Sequence, residues 1–406
     1  MKTLQVLLFC CISLYVNAQL KQEQLDQKLG DIYKSSKISG FGVSVFTPNQ
    51  ILYQNGFGYA DKETQKPYTI NTVQNIGSVS KTFIGVAFMK AIEEGKLSID
   101  TPINDVLPFR INHPRHPETP ITVKHLATHT SSILDTDAYE KSYVLENEAE
   151  FDENTYTKSE LKDLSLIKGN NKYSLEAFLK NHLTPKGEWF RKNNFSKHQP
   201  GDRYEYSNIG SALLAYIIEI ATGTSFTEYT QQIILDPLGM SNSGWSYAAS
   251  NPENYASIYT ENGNKIPKYD LITYPDGGLR SSIKDLSAYL QGLMKGYYGE
   301  DSVLKTESFQ QMMSAKLDKD QLNNKGNQKN NYGFFWEVGT SGKIGHNGSD
   351  PGILTLMYFN KNDQIGAIFF MNTGIDQDKD VISSVQKIWN SLKEFKNDYK
   401  EISSLD

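Results

Sequence analysis

Gly77-Ser78-Val79-Ser80-Lys81 stands at the mouth of a stretch whose apolar residues are Phe83, Ile84, Val86, Ala87 and Ala91, with Gly95 placed to end it. That pattern predicts a helix beginning at the serines. One helical turn separates Ser78 from Lys81, so the two side chains share a face and can meet. A serine hydroxyl is a weak nucleophile until a neighbour removes its proton. A lysine can do so only when neutral, and burial and a helix N-terminus both push its pKa down. Spacing alone decides little. Ser78, Ser159, Ser165, Ser281, Ser302 and Ser384 all open an S-x-x-K, and any one of them also reads as a helix cap or a surface pair.

On either side of this helix the pattern changes. Phe41 to Phe46 and Ile51 to Phe57 read as strands joined by a turn at Pro48-Asn49, preceded by a helix with Leu25, Leu29 and Ile32 on one face. Near the other end, Ile353 to Phe359 and Ile365 to Met371 form a second pair around Asn360-Lys361-Asn362-Asp363. A last helix carries Val381, Ile382, Val385, Ile388, Trp389, Leu392 and Phe395 as a stripe of 3.6-residue period. Between them, Ser78 to Met294 reads mainly as helices and loops. The expected fold is α/β plus all-α: an antiparallel sheet built from both chain ends with flanking helices, and an inserted helical lobe. The sheet lobe is placed at about 19–75 and 275–406, and the helical lobe at about 76–274. Asp135 to Asp163 holds ten acidic residues against three lysines, within an insertion placed at about 135–171. That stretch and Lys316 to Asn331 are most simply solvated loops.

Composition narrows the function. The 406 residues carry 41 basic and 47 acidic side chains, a net charge of -6, with no basic stripe, which argues against a nucleic-acid partner. Mean hydropathy is -0.50, leaving room for one short apolar segment. That segment is Val6 to Val16, after Lys2 and before Val16-Asn17-Ala18, and it is too short to span a bilayer of roughly 30 Å. It reads as a secretory signal over residues 1–18, cleaved after Ala18, which implies a secreted or periplasmic protein with no membrane span in the mature chain. A lipoprotein signal at Cys10 or Cys11 is disfavoured by Phe9. Both cysteines lie in this leader, so thiol chemistry leaves with it.

Two further motifs matter. Tyr206-Ser207-Asn208 is one of four Y-x-N matches, with Tyr15, Tyr53 and Tyr358, and His346-Asn347-Gly348 is the single H-x-G. In chain order the blocks run Gly77 to Lys81, Ile121 to Ser131, Pro200-Gly201-Asp202-Arg203-Tyr204-Glu205-Tyr206-Ser207-Asn208, Pro237-Leu238-Gly239-Met240, Asp276-Gly277-Gly278-Leu279 and Gly345-His346-Asn347-Gly348. Together they resemble the serine β-lactamase and D-Ala-D-Ala carboxypeptidase group of class C type, from about Phe41 to Asn372. The resemblance implies a site in the cleft between sheet and helical lobe, and two-step acyl transfer with no metal and no organic cofactor. It gives Ser78 as the acylated nucleophile, Lys81 as its proton partner and Tyr206 as a second acid/base group. Asn208 would orient Lys81 and the substrate amide, His346 and Gly348 would line the cleft, and the N–H groups of Ser78 and Ser349 would form an oxyanion hole.

One departure bears on substrate. β-Lactamases of this group usually carry Lys-Thr-Gly where this chain has His346-Asn347-Gly348. A lysine is a permanent cation suited to the carboxylate of a penicillin, whereas His is mostly neutral at pH 7. The expectation is therefore a monomeric serine hydrolase cleaving a small-molecule or peptide substrate, cell-wall-derived peptides among them, at a peptide, amide or ester bond. The alternatives are a β-lactamase proper, a non-catalytic binding protein for cell-wall peptides or β-lactams, and an acyl transferase. His125 and His129 have the i, i+4 spacing of a zinc pair, but Leu126 stands where a zinc peptidase needs Glu, so packing and helix-start roles are expected. His113 and His116 are expected to face solvent.

Overall fold

The computed structural model describes residues 19–300, 302–322, 329–375 and 378–403. The leader expectation falls on residues outside these. Eight strands make one antiparallel sheet: β1 (Gly40–Phe46), β2 (Ile51–Asp61), β3 (Lys66–Pro67), β4 (Asn330–Tyr332), β5 (Glu337–Gly339), β6 (Lys343–Asp350), β7 (Ile353–Asn360) and β8 (Ile365–Met371). Their order across the sheet is β4-β5-β6-β7-β8-β1-β2-β3. The seam between β8 and β1 joins the two chain ends, with Phe41 opposite Met371 and Phe46 opposite Gly366.

Side chains alternate across the strands, and each face finds its own cover. Phe41, Val43, Val45, Phe369 and Met371 pack with Leu25 and Leu29 of α1 (residues 19–34), and with Val381, Ile388 and Leu392 of α5 (Lys379–Ser403). On the opposite face, Phe46, Met357, Ile368 and Phe370 join the main core. That core holds α2 (Ser80–Glu93), α3 (Asn208–Thr222) and α4 (Ile283–Tyr297). Helix α4 lies close on the sheet because Gly42 has no side chain; a Cβ there would sit 2.6 Å from Ile283 Cγ1. Helix α2 is buried on nearly all sides. Phe83 stacks on Tyr289 with ring centroids 3.9 Å apart, and the helix is followed by Gly95 at φ +69°.

Three expectations need correction. The acidic segment is not a solvated loop. Its strand Tyr143–Leu145 pairs with Tyr269–Leu271, and Tyr143, Leu145, Tyr156, Leu164 and Ile167 close a small core with Ile258, Ile266 and Ile353. Aromatic and aliphatic residues spaced through the acids supply an apolar face that carries no helical or strand period. The segment after Lys316 is docked where it is described: the Gln321 carbonyl accepts from the Tyr204 N–H at 2.8 Å, and its side chain donates to the Gly201 carbonyl at 2.8 Å. His113 is buried rather than solvated. Its Nε2 lies 3.1 Å from the Ser196 carbonyl, and its Nδ1 accepts from the N–H groups of Arg115 and His116.

Candidate active site

Ser78 lies on a single 3₁₀ turn, Gly77–Val79, that runs straight into α2, so Lys81 falls in the helix's first turn. Gly77 enters the turn at φ +54°, a conformation that any Cβ would strain. The turn presses against β6: a Cβ on Gly348 would stand 2.2 Å from the Ile76 carbonyl oxygen and 2.8 Å from Ser78 N. A Cβ on Gly77 would stand 3.0 Å from Ser349 N. Two glycines in contact thus bring the Ser78 and Ser349 backbones to one spot beside the hydroxyl.

Tyr206 comes from the other lobe, two residues before α3. Ser207 caps that helix by accepting from the Gly210 N–H at 2.9 Å. Asp135 accepts from the N–H groups of Asn208 and Ile209 at 2.9 and 3.0 Å, which suits a carboxylate at a positive helix end. His129 Nδ1 accepts from the Ser207 N–H at 3.2 Å, and its ring backs that of Tyr206 at 4.6 Å. These contacts aim Tyr206 across the cleft, where it is 38 % exposed. Its Oη lies 2.8 Å from Ser78 Oγ, and Lys81 Nζ donates to the same oxygen at 3.0 Å.

The zinc-pair reading of the histidines is excluded by the same geometry. His125 Nδ1 accepts from the Thr122 N–H and closes a capping box on the short helix Val123–Ala127, while His129 lies beyond that helix at φ +55°.

Asn208 opens α3, where its backbone N–H donates to Asp135 at 2.9 Å. Lys81 is oriented by Ser78 and by the Asp276 carbonyl, which accepts its ammonium at 2.6 Å. The charge on Lys81 also runs against the simple burial argument. Burial lowers its pKa, but the fields of Tyr206, Asp276 and Asp135 outweigh that and hold it above the ordinary lysine value. Burial pushes Tyr206 up, with Lys81 and Ser78 pulling against it. At neutral pH the resting site therefore holds an ammonium, a neutral phenol and a serine hydroxyl.

Two carboxyl groups near Lys81 were not anticipated. Tyr139 Oη donates to Asp276 Oδ1 at 3.0 Å and Tyr143 Oη to Asp350 Oδ1 at 2.6 Å. Burial raises Asp276 to about 7 and Asp350 to about 6. Both tyrosines belong to the acidic segment. Their clue in the sequence was an aromatic residue recurring among acids, which charge counting hides.

His346 sits on β6, its ring 6.5 Å from that of Tyr206. Burial and the nearby Lys81 lower it to about 4, so it is neutral at pH 7. Its Nδ1 faces the Asn347 carbonyl, which fixes the proton there and leaves Nε2 as an acceptor. Beyond Ser349 and Asp350 a cavity of 460 Å³ opens toward the acidic segment, with Glu140, Tyr143 and Glu160 on its wall.

The profile of the beta-lactamase family matches residues 24–383. The chain belongs to that family. It is similar to protein flp of Staphylococcus aureus (strain N315), 24% identical over 66% of this chain and 48% of that one. The chain thus spans about half the length of that relative. It is 26% identical to the putative penicillin-binding protein PbpX of Bacillus subtilis (strain 168), over 87% of this chain and 75% of that one. Among solved structures, the octameric penicillin-binding protein homologue from Pyrococcus abyssi superposes with a TM-score of 0.68 at 25% identity, covering 86% of this chain and 73% of that one. A class C beta-lactamase superposes with a TM-score of 0.66 at 19% identity over 91% of this chain and 97% of that one, which bears on fold alone. The β-lactamase-like fold read from the six sequence blocks is the fold observed.

Proposed function

We propose that the protein is an exported serine hydrolase that forms an acyl-enzyme on Ser78 and cleaves a peptide, amide or ester bond. The observation that carries this reading is the convergence of Lys81 Nζ and Tyr206 Oη on Ser78 Oγ, at 3.0 and 2.8 Å. Once the Lys81–Tyr206 pair has lost one proton, it can accept the proton of Ser78 as Oγ attacks the carbonyl carbon. A new C–O bond forms, and the carbonyl π electrons move to oxygen, where the N–H groups of Ser78 and Ser349 meet the charge. Collapse breaks the bond to the leaving group, which takes the proton from the pair. Water then repeats the sequence and frees the acid. Which of the two residues holds the moving proton is a property of the pair.

The substrate reading rests on His346. A neutral imidazole with Nε2 left as an acceptor suits a substrate amide N–H and offers no cation to a carboxylate. Peptide, amide and ester substrates with no carboxylate beside the scissile bond therefore fit better than penicillins or a free D-Ala-D-Ala terminus. His346→Lys is expected to raise the rate of acylation by benzylpenicillin roughly tenfold, the effect of about 1.4 kcal/mol from one partly buried charge-assisted contact. Stopped-flow or mass-resolved acylation kinetics would check it. An unchanged rate would remove position 346 as the determinant.

The reading itself is tested by intact mass of the mature protein after treatment with a fluorophosphonate. One added phosphonyl group, mapped to the peptide holding Ser78, is the expected result. A well-folded protein that stays unmodified would make it a binding protein on a hydrolase fold.

A further inference from the structure

Lys81 is fully buried, and six charged or titratable groups act on it: Tyr206, Asp135, Asp276, His129 and His346, with Asp350 across the Ser78 turn. The three carboxyl groups are not equivalent. Asp135 is committed to the N-terminus of α3, where it accepts two backbone N–H groups. Asp350 lies against the Ser78 turn, its Oδ2 3.1 Å from where a Gly77 Cβ would be. Asp276 is the residue whose own backbone carbonyl holds the Lys81 ammonium, so its Cα is fixed beside that cation. Its carboxyl group is in turn held by Tyr139 at 3.0 Å, from the segment that covers this side of the cleft.

We infer that Asp276, held by Tyr139, is a positioning residue that fixes the proton on Lys81 and so sets the pH at which Ser78 becomes reactive. The inference rests on the hydrolase reading above. An ionised Asp276 favours the ammonium form of Lys81, since opposite charges in a water-poor interior stabilise each other. When the carboxylate is absent or neutral, the Lys81–Tyr206 pair gives up its first proton more readily. Buried as it is, Asp276 changes charge near neutrality, with burial placing it at about 7. The Tyr139 hydroxyl donates to the ionised form and favours it. The acidic segment, which makes no covalent contribution to the reaction, thereby reaches the proton balance of the catalytic centre through one hydrogen bond.

The test uses the rate of fluorophosphonate labelling at Ser78 as a function of pH, on the full mature chain. Labelling of the wild type should rise with pH to a plateau as the pair loses its proton. Asp276→Asn keeps the shape and an acceptor for Tyr139 but removes the charge, and its midpoint should fall by about one pH unit. Tyr139→Phe leaves the carboxylate ionised where the pair titrates and removes the donor that offsets its charge, so its midpoint should shift the other way, upward, by less. A purely structural role would scale the whole curve and leave its midpoint in place. Midpoints that coincide across the three proteins overturn this inference and leave the hydrolase reading intact. A wild type that is not labelled at any pH overturns both.

Discussion

Replacing Lys81 by alanine is expected to slow phosphonylation of Ser78 by about 10³-fold at pH 8, the range found when a positioned proton acceptor is removed. The ammonium also donates directly to Ser78 Oγ, so its loss removes both the proton route and one of the two groups that fix the nucleophile. The same change should be felt in stability. Lys81 is the cation beside the buried Asp276 and the half-buried Asp135 and Asp350, and removing it strands their charge, at a cost of about 3 kcal/mol. The pH dependence has a definite sign. Asp276 and Asp350 stand at about 7 and about 6 in the folded chain against 3.8 for a free Asp. The folded state therefore binds extra protons between roughly pH 4 and 7, and their contribution to stability grows as pH falls through that window. Without Lys81 both groups rise further. The deficit of Lys81→Ala relative to wild type should be largest at pH 8 and shrink toward pH 5. Urea unfolding at the two pH values measures it, and a deficit that is constant or larger at pH 5 would contradict the assignment of charge in the site.

Gly348→Ala is expected to lower labelling by about 10²-fold, comparable to the loss of one oxyanion-hole donor. The added methyl would meet the Ile76 carbonyl at 2.2 Å and Ser78 N at 2.8 Å, and both are backbone atoms with no freedom to swing aside. β6 must back away from the Ser78 turn, which separates the Ser78 and Ser349 N–H groups. Overpacking of this kind costs about 1–3 kcal/mol, so the protein should still fold. Gly30→Ala is the control: a Cβ there meets nothing within 4 Å, and labelling should not change. Full activity in Gly348→Ala would mean that the close contact of turn and strand is not part of the catalytic geometry.

Much of the architecture was legible because its signals are periodic. β1, β2, β7 and β8 coincide with apolar runs at the two chain ends, and α5 with a stripe of 3.6-residue period. Ser78, Lys81 and Tyr206 were legible through the order of six blocks, since each short motif alone recurs along the chain. What escaped had no period. Tyr139 and Tyr143 pack through isolated rings within a strongly charged stretch, and their hydrogen bonds to Asp276 and Asp350 join residues more than a hundred positions apart. The charge on Lys81 was misjudged for the same reason: burial of a lysine can be read from a helix face, but the carboxyl groups that offset it come from distant segments. Asn208 lies in the expected motif, yet Asp135, which accepts its backbone N–H, begins the acidic segment, whose charge reads as loop.

The pairing of β1 with β8 also has a kinetic side. Phe41 waits for Met371, so the central seam of the sheet has a very long loop to close, and such non-local pairing is slow. A chain emerging from the ribosome can assemble its helical core early, but its sheet stays unzipped until β7 and β8 have been made. The join of the two ends thus acts as a timer, delaying the finished site until the last strands have been synthesised.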